Sequence, residues 1–276
     1  IHANMHINIR KLVNSHICPN ALNRQIIART SKTGANMIIL IVGASGATGR
    51  LLVEELLNRG QEVRIVVRSL ESLPEKIKSH ANLFVIEESI LDMSHTDMVA
   101  LVRGCNAVVS CLGHNLTLQG IYGRPRRLVT DAVYRLCNAI HENEPPEPIK
   151  FILMNTTGNR NKDLVERISF GQKCIIGLLR LVLPPHVDNE KAAEYLRTKI
   201  GQNHPQIQWV AVRPDGLINE EEVTGYKIFE SPIRSAIFDA GTTSRINVAN
   251  FMAKLIKSDK TWNTWVGKMP VIYNSS

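Results

Sequence analysis

The stretch "MIILIVGASGATGRLL", Met37 to Leu52, sets seven small residues, Gly43 to Gly49, directly behind six apolar ones. The apolar run is rich in β-branched side chains and shows no polar alternation, as a strand buried on both faces requires. The residues that follow, "RLLVEELLNRG" (50–60), have helical period and end at Gly60, a C-cap residue. A buried strand, a glycine turn and a helix therefore stand in immediate succession. The three glycines have separate tasks in such a unit. Gly43 permits the tight turn, Gly46 lets backbone approach a ligand, and Gly49 lets helix and strand pack closely.

The same alternation continues outward. Strands are predicted at "EVRIVVRS" (62–69), "NLFVIEE" (82–88), "NAVVSCLG" (106–113), "PEPIKFILMNTTG" (146–158) and "IQWVAVRPDG" (207–216). Helices are predicted at 96–104, 126–142, 189–201 and, behind a turn, within 243–257. Repeated β-α-β units imply an α/β fold: one doubly wound, Rossmann-type parallel sheet with helices on both faces. The part beyond about residue 217 reads as small and irregular. The expected domain is 37–276, with substrate-covering segments at 159–188 and 217–246.

Composition narrows the function classes. The chain has 276 residues and a formal charge of +8, but residues 1–36 hold five of its basic residues and no acidic one. Without those five, 28 basic residues face 25 acidic ones, so the body is only mildly basic. No basic run with interleaved aromatics points to nucleic acid. Residues 1–36 lack clear periodicity and are placed outside the fold. They are read as translated sequence upstream of a start at Met37, with a transit-like extension as the alternative. Five cysteines, with no C-x-x-C pair, suggest neither a disulfide framework nor a metal site and fit a reducing, cytoplasmic setting. No apolar run approaches the roughly 18 residues of a membrane span. A monomer or homodimer acting on a small molecule is expected.

In this context the glycine turn reads as a dinucleotide site. The helix N-terminus offers free N–H groups and partial positive charge to a pyrophosphate. Gly43, Ser45, Gly46, Ala47, Thr48 and Gly49 would cradle it, with Ser45 and Thr48 adding hydroxyls. An acidic residue at the end of the second strand would select NAD. This chain has Arg68-Ser69 there, and Arg68, helped by Arg50, suits a 2′-phosphate. NADP is therefore expected over NAD.

Together "VGASGATGR", "VRIVVRSLESLP", "NAVVSCLG" and "WVAVRPDGL" resemble the atypical short-chain dehydrogenases/reductases of the NAD(P)H-binding, NmrA-like group. In layout they are closest to the flavin reductase/biliverdin-IXβ reductase type. The resemblance covers about 37–257 and is loose in the C-terminal third. It implies that Ser89 and Ile90 stand near the adenine, where the family usually has an Asp after the third strand. It also implies that Cys111, Leu112 and Gly113 line the ribose and nicotinamide, and that Pro214, with Asp215 and Leu217, closes over the latter.

The resemblance also carries the catalytic expectation, with a departure. Standard members use a Tyr-x-x-x-Lys pair, in which the Lys makes the Tyr an effective proton donor. Tyr195 and Lys199 have that spacing and would share a helix face, but they lie too close to Pro214. The expected position falls near Pro185–Val187, where there is no Tyr. Tyr195 is read as a packing residue and Lys199 as a surface one. By resemblance Thr156 takes the active-site hydroxyl position, with Thr157 as alternate; a strand-end Thr bonding its own backbone is the plain alternative. His114, after the fourth strand, is a candidate proton donor or a solvated loop residue. His186 reads as a capping residue. The segment 160–188, apolar from Ile175 to Leu183, is a lid, a packed helix or a dimer contact.

Three functions follow. The first is an NADP-dependent oxidoreductase that passes hydride to a planar conjugated acceptor such as a flavin, quinone or bilin-like compound, for which orientation supplies much of the catalysis. The second is a non-catalytic, NADP(H)-sensing regulator, as the NmrA-like resemblance implies. The third is an NAD-dependent epimerase or dehydratase.

Overall fold

A computed structural model describes residues 37–275 apart from 116, 167 and 168. The segment 1–36, assigned above to an extension, lies outside the described residues.

Eight strands form the main sheet, in the order β3-β2-β1-β4-β5-β6-β10-β8. The first three are β1 (Ile38–Val42), β2 (Glu62–Val67) and β3 (Leu83–Glu87). The next three are β4 (Ala107–Ser110), β5 (Ile149–Met154) and β6 (Ile207–Pro214). All of these neighbours pair in parallel, with Ile39 of β1 beside both Val63 and Ala107. The chain winds outward from β1 through β3, then returns to the other side of β1 at β4. The reversal point lies between β1 and β4, where such sheets bind ligands beyond their strand ends.

Each strand feeds two cores, because successive side chains point to opposite faces. Ile38, Leu40 and Val42 enter one core with α3 (His95–Val102), α5 (Leu128–Glu142) and α7 (Pro184–Tyr195). Ile39 and Ile41 enter the other with α1 (Ala47–Asn58), α8 (Arg245–Lys257) and α9 (Asp259–Trp265). All five β1 residues are buried, which is why the opening run has no polar alternation. Two short helices, α2 (Glu75–Lys78) and α4 (Leu118–Tyr122), sit in connections, and α6 (Phe170–Val182) occupies the long one after β5.

The structure departs from the sequence expectation in two places. Helix α7 begins at Pro184, five residues before the predicted start, because prolines fit the first turn of a helix, where the missing N–H would be unpaired anyway. The C-terminal part is also more regular than expected. Strands β7 (Gly216–Ile218) and β9 (Thr242–Ser244) pair in parallel as a small separate sheet. Strand β10 (Val271–Asn274) extends the main sheet beside β6, and β8 (Tyr226–Phe229) closes that edge antiparallel to β10. These strands have three or four residues, too few for periodicity to register.

The loop after β5 is braced by a buried ion pair. Arg213 on β6 donates to Glu166 Oε1 at 2.7 Å, to Asn159 O at 2.9 Å and to Met269 O at 2.7 Å. Neither side chain of the pair has appreciable solvent contact.

Candidate active site

The glycine turn joins β1 to α1 at the reversal point. Gly43 has φ +79°, and a β-carbon there would lie 2.5 Å from the carbonyl carbon of Cys111 on the neighbouring strand end. A β-carbon on Gly49 would lie 2.2 Å from Gly43 O. The turn is therefore closed by main chain on main chain, and no side chain fits at Gly43 or Gly49. Helix α1 starts with extended Gly46, carries no side-chain cap and has no acidic residue in its first turn. Ser45, Gly46 and Ala47 are exposed, whereas Thr48 and Gly49 are buried beneath them. An uncapped helix start of this kind fits an anionic group, because its first N–H groups have no internal acceptor.

Beyond β2, Arg68 is exposed and makes no hydrogen bond or ion pair among the described residues. Arg50 is partly exposed on the first turn of α1. The acidic residue nearest in the next strand, Glu87, is engaged elsewhere: its Oε1 accepts from Leu70 N at 3.0 Å. Ser69 caps the turn at 70–72 by accepting from Glu71 N. After β3, Ser89 is half-buried and Ile90 is buried in the core. Arg135 of α5 holds this loop by donating to the carbonyls of Ile90, Leu91 and Met93.

At the end of β4, Cys111 and Leu112 are half-buried and Gly113 is exposed. Burial pushes the Cys111 thiol up to about 12, so it is a neutral, inert wall. His114 is turned into the protein. Its Nε2 lies 2.8 Å from Asp188 Oδ2, and its Nδ1 lies 3.2 Å from Gly120 O.

A cavity of about 310 Å³ opens beyond the ends of β5 and β6. Its polar lining comes from Thr156, Thr157, His186 and Asp215, and its apolar wall from Ile176 and Leu179 of α6 with Ala236, Ile237 and Ala240. His114, Pro214 and the residues after β4 are not among the lining residues. Thr157 Oγ1 donates to Asp215 Oδ1 at 3.0 Å, and Asp215 Oδ2 accepts from Gly241 N at 2.9 Å. Thr156 Oγ1 accepts from Gly158 N at 3.3 Å. Helix α6 is thus a cover, but a sparse one: within it Gln172 and Ile176 are buried, while Phe170, Leu178, Leu181 and Val182 are exposed.

His186 lines the cavity beside Thr156. It sits in the first turn of α7, and a β-carbon on Gly158 would lie 3.3 Å from its Cε1 and 3.8 Å from Thr156 Oγ1. Its Nε2 is 3.3 Å from Glu190 Oε1, one turn on. Arg180 of α6 grips the same carboxylate with a fork, Nε to Oε2 and Nη2 to Oε1, each at 2.9 Å. Burial would raise the Glu190 carboxyl, but the His186 and Arg180 contacts prevail and hold it down at about 2. The sequence signal was the spacing His186-x-x-x-Glu190, one helical turn.

Tyr195 packs edge-on against Tyr134, with centroids 5.6 Å apart, and burial pushes its hydroxyl up to about 12. The helix widens into a π turn over Leu196–Ile200, and Lys199 is exposed there, as a surface residue would be.

Residues 43–259 match the model of a family described as NAD(P)H-binding. Among proteins with curated descriptions, none matches the chain significantly. Several solved structures share the fold. An oxidoreductase, ylbE from Lactococcus lactis, is 19% identical with a TM-score of 0.61, over 87% of this chain and 92% of that one. A short-chain dehydrogenase/reductase from Veillonella parvula, solved in complex with NADP, is 17% identical with a TM-score of 0.62, over 88% and 96%. A candidate NADH-flavin reductase from Streptococcus pneumoniae is 16% identical with a TM-score of 0.59, over 87% and 100%. With the family match spanning most of the chain and a doubly wound sheet carrying the glycine turn at its reversal point, the chain belongs to the NAD(P)H-binding family.

Proposed function

We propose that the protein is an NADP-dependent oxidoreductase that reduces a planar conjugated acceptor of the flavin, quinone or bilin-like class. The observation that carries this reading is the pairing of two features on one sheet edge. An uncapped glycine turn with unpaired Arg68 follows β1 and β2, and an apolar-walled cavity follows β5 and β6. The Veillonella and Streptococcus relatives support it by what their descriptions name, NADP and an NADH-flavin reductase.

The turn Gly43–Gly49 would hold the pyrophosphate through main-chain N–H groups, and Arg68 with Arg50 the 2′-phosphate. When bound, the cofactor supplies a hydride from its nicotinamide ring. The chain's own residues do the rest. Ile176, Leu179 and Ile237 present an apolar wall to a ring. Thr156, whose O–H engages no acceptor among the described residues, orients the ring's polar edge, and Thr157 with Asp215 fixes the cavity floor. With no tyrosine among the described residues that line the cavity, an acceptor that takes up an electron pair readily is the substrate class this site can serve. The test is oxidation of NADPH and of NADH by the full chain with FMN as acceptor. Turnover that prefers NADPH is expected, and tight NADPH binding without turnover overturns the reading.

One observation favours a second reading, an NADP(H)-sensing regulator. Phe170, Leu178, Leu181 and Val182 expose apolar surface on the helix that covers the cavity, where a protein partner could sense its occupancy.

A further inference from the structure

We infer that the 310 Å³ cavity is the acceptor site for a one- or two-ring quinone, and that His186, held by Glu190 and Arg180, binds its carbonyl oxygen and supplies the proton. The inference deepens the oxidoreductase reading and rests on it for the proton-transfer half.

Three observations converge. The first is size. About 310 Å³ is near the lower end of the roughly 300–1,000 Å³ found for small-molecule sites, which suits a compact ring system and not a four-ring bilin. The second is the distribution of polarity. Ile176, Leu179, Ala236, Ile237 and Ala240 make an apolar wall; of the polar lining, Thr156 and His186 both come within 4 Å of a point above Gly158, and Asp215 is engaged by Thr157 and Gly241. A quinone has this pattern, an apolar face and carbonyl oxygens in its plane. The third is the aim of the histidine. Nε2 faces Glu190, which leaves the Nδ1–Cε1 edge turned toward Gly158 and the cavity. With Nε2 beside a carboxylate at 3.3 Å, Nδ1 is the ring nitrogen left to bond a ligand oxygen. Arg180 in turn fixes that carboxylate from α6, the cover helix, so closure of the cover and orientation of the histidine are one arrangement.

The step balances. A hydride added to the quinone reduces it by two electrons and leaves negative charge on an oxygen. The His186 N–H bond breaks as the O–H bond forms there, giving the hydroquinone. The neutral imidazole regains its proton from water. Glu190 and Arg180 touch neither substrate nor cofactor and are positioning residues.

The test uses the full chain with menadione as the quinone. Binding is followed in the cofactor-free protein through the ring nitrogen resonances of His186 and by titration, and turnover is followed as NADPH oxidation. Menadione should shift the His186 resonances. His186→Asn should weaken menadione at least tenfold and lower kcat about 100-fold or more, with NADPH affinity unchanged. Glu190→Gln should lower kcat and move the same ring resonances, and Glu190→Asp should restore part of both. Menadione that fails to bind, or that binds the wild type and His186→Asn alike, overturns the assignment whatever the turnover. Menadione that binds through His186 in a wild type unable to oxidise NADPH upholds the site and overturns the proton-transfer half together with the oxidoreductase reading. A wild type that turns over while His186→Asn keeps its kcat overturns the donor and leaves the oxidoreductase reading standing.

Discussion

His114 Nε2 lies 2.8 Å from Asp188 Oδ2, and the same carboxylate accepts the N–H groups of Val129 at 2.8 Å and Thr130 at 3.0 Å. Those two residues open α5, which has no side-chain cap of its own. Asp188, carried on α7, is thus the cap of a different helix and the anchor of the loop after β4. Asp188→Ala strands two helix N–H groups and a buried imidazole together. A loss of about 3–5 kcal/mol is expected at pH 7 by urea unfolding. A loss below about 1 kcal/mol would show the cap to be dispensable. The pH dependence follows from the same contacts. Burial acts to raise the Asp188 carboxyl, but the hydrogen bonds from His114, Thr130 and Val129 outweigh it and hold the group below its ordinary value of 3.8. Its folded pKa is therefore depressed. The stability it contributes is complete above that ordinary value and is lost as pH falls through the lower folded one. The gap between wild type and Asp188→Ala should accordingly narrow on titration from pH 5 toward pH 2.

Arg68 is exposed and unpaired among the described residues, so its removal should cost the fold little. Arg68→Ala is expected to stay within about 0.5 kcal/mol of wild-type stability. A charge-assisted contact to a 2′-phosphate is worth about 1.5–3 kcal/mol, or roughly 10- to 150-fold in affinity. The Kd for NADPH should rise by that factor while the Kd for NADH stays put, as measured by fluorescence titration. Equal weakening of both cofactors would mean that Arg68 does not face the 2′ position.

How much of this was legible beforehand depends on the range of the interactions involved. The six strands β1–β6 and the glycine turn announce themselves in local pattern, because burial on both faces forces apolar runs and the turn has no room for a side chain at Gly43 or Gly49. The C-terminal strands do not, because β7 and β9 have three residues each and pair with partners 26 positions away, Gly216 with Thr242. The site divides in the same way. Gly43, Gly46, Gly49 and Arg68 could be named from spacing alone. His186 read as a cap, since its meaning depends on α6 and the loop at Gly158 folding onto it. His114 follows β4, but its side chain turns inward to Asp188, 74 positions away, a contact that no local pattern reports. Tyr195 packs on Tyr134 and Lys199 is exposed in a π turn, a widening that local pattern does not report in advance.

Gly49 offers a direct check on the main-chain contact that closes the turn. A β-carbon on it would lie 2.2 Å from Gly43 O, 3.0 Å from Gly43 C and 3.1 Å from Ala44 Cα. All three atoms belong to the main chain and cannot rotate away. Gly49→Ala must therefore shift α1 away from β1, at a cost of about 1–3 kcal/mol as overpacking. Because α1 carries the uncapped N–H groups, NADPH affinity should fall at least tenfold. Helix propensity alone predicts the opposite sign for stability, since Ala is the better helix former. A stabilised variant with normal NADPH binding would refute the contact.

Thr156 and Thr157 are adjacent, yet the structure assigns them opposite sensitivities. Thr157 is buried, and its hydroxyl donates to Asp215, which also takes the N–H of Gly241 just before β9. The three ends of β5, β6 and β9 therefore meet at one carboxylate. Thr157→Val leaves Asp215 Oδ1 without its partner and should cost about 1–3 kcal/mol. Turnover would fall as well, since the cavity floor moves. Thr156 is half-buried, and its hydroxyl accepts only the local N–H of Gly158 at 3.3 Å. Thr156→Val, equal in shape, should stay within about 1 kcal/mol of wild type. It should nevertheless lower kcat/KM for the acceptor about tenfold, with the Kd for NADPH unchanged. Thermal unfolding beside steady-state kinetics separates the two. If Thr156→Val loses stability and keeps its kcat/KM, its hydroxyl serves the backbone turn alone, and ring orientation must fall to His186.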